Sequence, residues 1–166
     1  MGIAVLIGSE LRFWGVTRFR EKRLEDLLPA VERRLWRLIH LYRPTLLVVE
    51  KPTPGRLRAS PWLSVLTAGI SAVALEAGLR FHLCDPTGVR ERLCGSLKAT
   101  PQNLAGRVVA AYPHLARYQN GASRWQESYW LPMFAAVSVA LACRQDLSSS
   151  PSAPPGWGTS GLPMGV

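Results

Sequence analysis

One short run constrains the chain more than any other: Thr45–Glu50 (TLLVVE), four consecutive apolar residues that end in a carboxylate. A run this short, half of it valine, reads as a buried strand rather than a helix. It follows an amphipathic helical segment and precedes a Pro-rich turn, Lys51–Gly55. Helix, buried strand and turn in that order belong to a layered α/β domain. The carboxyl end of such a strand is where α/β folds place their ligands, so Glu50 is the first candidate for a metal-holding residue.

The flanking segments extend this pattern. Gly2–Ile7 (GIAVLI) and Leu11–Phe19 (LRFWGVTRF) are strand-like, and Gly8, Ser9 and Glu10 between them suit a tight hairpin. Leu24, Leu27, Leu28, Val31, Leu35, Leu38, Ile39 and Tyr42 recur at helical spacing, with Arg33, Arg34 and Arg37 largely on the other face and Arg43-Pro44 as the stop. Past Glu50 a loop rich in Pro and Arg leads to Ser60-Pro61, an N-cap followed by Pro at the first helical position, and a helix closing near Gly78. Leu79–Cys84 alternates as a strand, with Asp85-Pro86-Thr87-Gly88 as its exit turn. Thr100-Pro101 caps a helix running to about Ala111, and Tyr129–Cys143 forms the last one. The expected domain is 1–147, a mixed sheet flanked by helices, followed by a disordered Ser/Pro/Gly-rich tail at 148–166.

At 166 residues and 48% hydrophobic composition the chain can bury one core. Twenty Lys and Arg against eleven Asp and Glu give a formal charge of +9, which suits a polyanionic partner such as nucleic acid or, equally, an Arg-rich solvated surface. Cys84, Cys94 and Cys143 are odd in number and lack C-x-x-C spacing, so neither a disulfide framework nor a zinc site is indicated, and a reducing cytoplasm fits best. No stretch approaches the roughly 18 apolar residues of a membrane span.

Four further segments give these elements a family likeness. Gly2-Ile3-Ala4-Val5, the passage from Tyr42-Arg43-Pro44 to Val48-Val49-Glu50, Gly95-Ser96 with Ala99 ahead of a helix, and Phe134–Leu141 (FAAVSVAL) occur in an order and spacing similar to the RuvC-type Holliday-junction resolvases of the ribonuclease H-like superfamily. The resemblance runs from Gly2 to about Arg144. It implies a ribonuclease H-like fold, a DNA substrate of recombination or repair, and magnesium or manganese as cofactor. In that family two ions about 4 Å apart drive in-line phosphodiester cleavage. Their carboxylates come from an Asp on the first strand, a Glu ending the fourth, and an acidic frame on the last helix.

Only Glu50 matches that set. Gly2–Val5 resembles the family's second strand, so the first strand with its Asp is missing from this sequence. Ala135 stands where the last-helix Asp belongs and Pro132 where a His belongs. Glu127 and Asp146 lie eight residues before and eleven after Ala135, roughly 12 and 16 Å away along a continuous helix at about 1.5 Å per residue. Asp85, ending the strand expected beside Glu50, is either a second ligand or the turn acid of Asp-Pro-Thr-Gly. Because the absent strand is central in the resembled fold, three repairs are open: the hairpin pairs directly with Thr45–Glu50, a partner supplies a strand, or the natural protein begins upstream.

The remaining polar residues suggest binding rather than chemistry. Lys51, Arg56, Arg58, Arg90, Arg92 and Lys98 follow Glu50 and the Asp85 strand, which such a fold gathers at one edge, so they are the candidate DNA phosphate contacts or a solvated loop surface. The family's usual Lys after Gly95 is Pro101 here. His40, His82 and His114 lack metal-ligand spacing. Trp125, Trp130 and Phe134 are core contacts or a dimer surface. The expected function is a RuvC-like protein binding branched or duplex DNA with impaired metal-dependent endonuclease activity, a pseudoenzyme; the alternative is a non-catalytic DNA-binding or partner-bound structural homologue.

Overall fold

The computed structural model describes residues 1–21, 23–60, 62–119 and 124–149, with the side chains at 56, 59, 124–127 and 146–149 outside that description. The chain opens on a hairpin of β1 (Gly2–Ile7) and β2 (Glu10–Val16), followed by α1 (Leu24–Tyr42), β3 (Leu46–Glu50), α2 (Pro54–Ala59), α3 (Trp62–Glu76) and β4 (Arg80–Cys84). Helices α4 (Pro86–Cys94), α5 (Pro101–Ala111), a 3-10 turn at Pro113–Leu115, α6 (Ala116–Gln119) and α7 (Arg124–Ser149) complete it.

The hairpin turns on two residues, Gly8 and Ser9. Gly8 has φ +60° and Ser9 stays in the ordinary region, as a II′ turn requires. Its register shifts between Val5 and Leu6, because Val5 faces Phe13 while Leu6 faces Leu11. Arg12 is thus the extra residue of a β-bulge, which puts Leu11, Trp14 and Val16 on one face although their spacing is not strictly alternate. β2 ends at Val16, short of the expected Phe19, which packs instead with α1 and α3.

Two layers of helices sandwich the strands. On one side α7 and α5 bury Leu115, Met133 and Val137 against Ala4, Leu6, Trp14 and Val16 of the hairpin, and α7 continues under β3 and β4. Ser138 is buried at the centre of α7 with its hydroxyl donating to the Phe134 carbonyl at 2.8 Å. Phe134 is a core residue and Trp130 packs on Tyr118, so of the two readings for these aromatics the core one holds; the Trp125 side chain lies outside the described ones. On the other side α1 and α3 bury Val31, Leu35, Ile70 and Val73 over Leu47, Val49 and Phe81. α1 also reaches the hairpin: Tyr42 meets the Phe13 ring at 6.1 Å, and the half-buried Arg34 lies 5.3 Å over it rather than on a solvated face.

The strands form two separate pairs, β1 with β2 antiparallel and β3 with β4 parallel. The hairpin does not pair with β3, so the first of the three repairs is not the one adopted. Among the described residues β1 and β3 each keep one edge without a strand partner.

Two stretches read as loops are helices. Pro54 opens α2, and Asp85-Pro86 opens α4 with Asp85 as N-cap and Pro in the first turn; the Gly two residues on made the segment look like a turn. α7 is longer than Tyr129–Cys143 at both ends and runs through Ser149, into the segment expected as tail; residues 150–166 lie outside the described ones.

Candidate functional site at the carboxyl edge of the parallel strands

Parallel pairing in register sets Leu46 opposite Arg80, Val48 opposite His82 and Glu50 opposite Cys84. The ladder runs one step further, the Lys51 N–H donating to the Cys84 carbonyl at 2.8 Å. Paired residues share a face, and faces alternate along a strand. Leu47, Val49 and Phe81 face α1 and α3, so Val48, Glu50, His82 and Cys84 belong to the opposite face, where Val48 and Cys84 pack with Val139, Ala142 and Cys143 of α7. Glu50 is half-buried at the end of this face.

Asp85 is exposed, one residue beyond β4, and its carboxylate accepts the Gly88 N–H at 3.3 Å as the α4 cap. That is a helix-capping role, made through one carboxylate oxygen. Pro132 is exposed and Ala135 half-buried on α7. The side chains of Glu127 and Asp146 lie outside the described ones. Among the described residues, Glu50 belongs to no group of three closely placed His, Cys, Asp or Glu ligands. A magnesium pair needs several fixed oxygen donors, and the described residues place no such group around Glu50. Among the described residues the site does not fit the two-ion chemistry implied by the family likeness.

Cations are better represented. Lys51 is exposed directly after β3, Arg58 on α2, Arg92 on α4 and Lys98 between α4 and α5. Arg90 is half-buried on α4, with its Nε enclosed and without a hydrogen-bond partner. Arg56 lies in α2, its side chain outside the described ones. Lys98 also lines a shallow hollow of about 300 Å³ with Ser96, Asn103 and Arg107. Arg107 was not singled out from sequence, since an arginine inside a capped helix looks like any solvated position. Below it, Thr100 and Asn103 form a reciprocal capping box that fixes the start of α5.

One grouping was missed. His82, Cys84 and Cys143 come together on the α7 face, their ligating atoms all within 4.8 Å of one another. A His-x-Cys pair on a strand places both side chains on one side, which was a legible signal; Cys143 joins only through the packing of α7.

Helices on either side of short strands make this a layered α/β fold. Two solved structures are similar to it. The structure titled Thermus thermophilus RuvC superposes with a TM-score of 0.59 and 18% identity, covering 87% of this chain and 85% of that one. T. thermophilus RuvC in complex with Holliday junction substrate gives 0.60 and 15%, covering 89% and 87%. No protein-family model matches the sequence, and no curated protein matches it either. No helix among the described residues is long and apolar enough to cross a membrane.

Proposed function

We propose that the chain binds branched or duplex DNA through phosphate contacts at the carboxyl edge of β3 and β4, and does not cut it by a two-metal route. The observation that carries this reading is the exposure of Lys51, Arg58, Arg92 and Lys98 in the segments that follow β3 and β4, Arg92 also donating to the Ala142 carbonyl at 3.5 Å, while among the described residues Glu50 belongs to no group of three closely placed ligands. The net charge of +9 and the likeness to a RuvC structure solved on a junction support the DNA partner. Each phosphate neutralised adds about 0.9 to the log–log salt slope of duplex binding. Fluorescence anisotropy on a four-way junction and on duplex DNA across a salt series tests it. A salt-dependent affinity whose slope falls in Lys51→Ala and Lys98→Ala is expected; affinity that is absent at low salt, or flat with salt, overturns it.

The split of the strands into two pairs favours a second reading, in which the unpartnered edges of β1 and β3 receive a strand from a partner chain. Rapid amide exchange in both edges of the isolated chain, slowed on addition of a partner, would identify it. Exchange already slow in the isolated chain would exclude it.

A further inference from the structure

The grouping of His82, Cys84 and Cys143 sits on rigid elements. Two of its members are on β4 and the third is deep in α7. Both cysteines are buried, 6% and 5% exposed, and packed among Val48, Val139 and Ala142, while His82 is exposed beside them. None of the three cysteines is in a disulfide, and Cys94 is not part of the group.

We propose that His82, Cys84 and Cys143 bind a single soft divalent ion of the zinc class, with water in the fourth position. The chemistry of the donors selects the ion: thiolate and imidazole ligands favour zinc, whereas magnesium and calcium seek oxygen. Geometry agrees. With Zn–S near 2.3 Å and Zn–N near 2.0 Å, ligand atoms of a tetrahedral site lie about 3.5–4 Å apart, so a group spread over at most 4.8 Å closes on the ion by a contraction of about 1 Å. Apolar walls exclude competing water from the sulfurs, and the exposed imidazole provides the entry path. Binding is balanced by proton release: each thiol gives up its proton to solvent and a sulfur lone pair fills the metal bond, while neutral His82 donates a ring-nitrogen lone pair and loses no proton. The ion ties β4 to α7, whose packing on this face includes the apolar contacts of Cys84 and Cys143 with Val139 and Ala142. It does not use Glu50, so it stands whether or not the DNA reading does.

The test is metal binding by the reduced full chain, read by competition with a chromophoric zinc chelator and by the thiolate-to-cobalt charge-transfer band after Co²⁺ substitution. One ion per chain with a two-thiolate band is expected. Cys84→Ser and Cys143→Ser should weaken zinc binding by more than about a hundredfold, beyond what losing a supporting hydrogen bond to a ligand costs. His82→Ala, at an exposed position that leaves the core intact, should weaken it at least tenfold, about 1.4 kcal/mol or more, and Cys94→Ser should leave it unchanged. The proposal is overturned if the folded wild-type chain, verified by circular dichroism, binds no zinc, or if its affinity survives His82→Ala and Cys143→Ser. Formation of a Cys84–Cys143 disulfide in a cytosol-like glutathione buffer, in preference to zinc binding, overturns it as well.

Discussion

The hairpin and the parallel pair rest on the same helix, α7, and meet it in different ways. The hairpin adds backbone contacts to its side-chain packing: Gly2 lies so close to α7 that a Cβ there would overlap the Pro132 carbonyl, and the Ser9 carbonyl at the turn accepts from Tyr112 Oη, just past α5, at 3.0 Å and from Arg144 of α7 at 3.3 Å. The parallel pair approaches through side chains, Val48 and Cys84 against Val139, Ala142 and Cys143, with Glu50 and His82 at the margins. The close approach at Gly2 leaves no space there for a side chain. The parallel pair instead keeps a layer of side chains against α7, and Glu50, His82, Cys84 and Cys143 are in that layer or at its edge.

The largest expected effect comes from breaking the backbone contact. Gly2→Ala has no flexible neighbour to displace, so it should cost more than the about 1–3 kcal/mol usual for overpacking, or release the hairpin from α7 altogether. Urea denaturation together with Trp14 fluorescence checks both outcomes. Gly69→Ala on α3 makes the contrast sharp: its Cβ would meet only the Cδ1 end of Leu28, which can rotate, so a cost of about 1–2 kcal/mol is expected. A Gly2 cost no greater than the Gly69 cost would erase the distinction between the two regions.

On the side-chain region, Val139→Ala removes two methyls from a 6% exposed position and should cost about 1–2 kcal/mol in the same assay, without disturbing the hairpin. The smallest effect belongs to neither pair. Arg43 holds φ +46° at the end of α1, its N–H donating to the Ile39 carbonyl at 2.8 Å. Arg43→Gly relieves a left-handed conformation but adds unfolded-state entropy, so a gain below about 1 kcal/mol is expected, visible as a small rise in melting temperature.

What could be read from sequence follows the same division. β1, α1 with its stop at Arg43, β3, β4 and the Thr100 cap of α5 each carry a local signal within a few residues, and the structure has them within a residue or two. α2 and α4 were misread because Pro-rich openings serve turns and helix starts alike. The bulge at Arg12, the split into two sheets and the approach of Cys143 to His82 and Cys84 depend on contacts between distant segments, which no local pattern encodes. Glu50 was legible because a strand end is local; the expectation that it lacks acidic companions came from setting Ala135 and Pro132 in the frame of a resembled family.

The claim that most needs testing is that this fold keeps a DNA-binding edge without two-metal cleavage. The direct measurement is incubation of the purified chain, free of host nucleases, with a labelled four-way junction in Mg²⁺ and in Mn²⁺, with binding and cleavage read from the same samples. The account predicts salt-sensitive binding and no cleavage above a no-protein control. Cutting of the junction by the unmodified chain, abolished by Glu50→Gln, would contradict it.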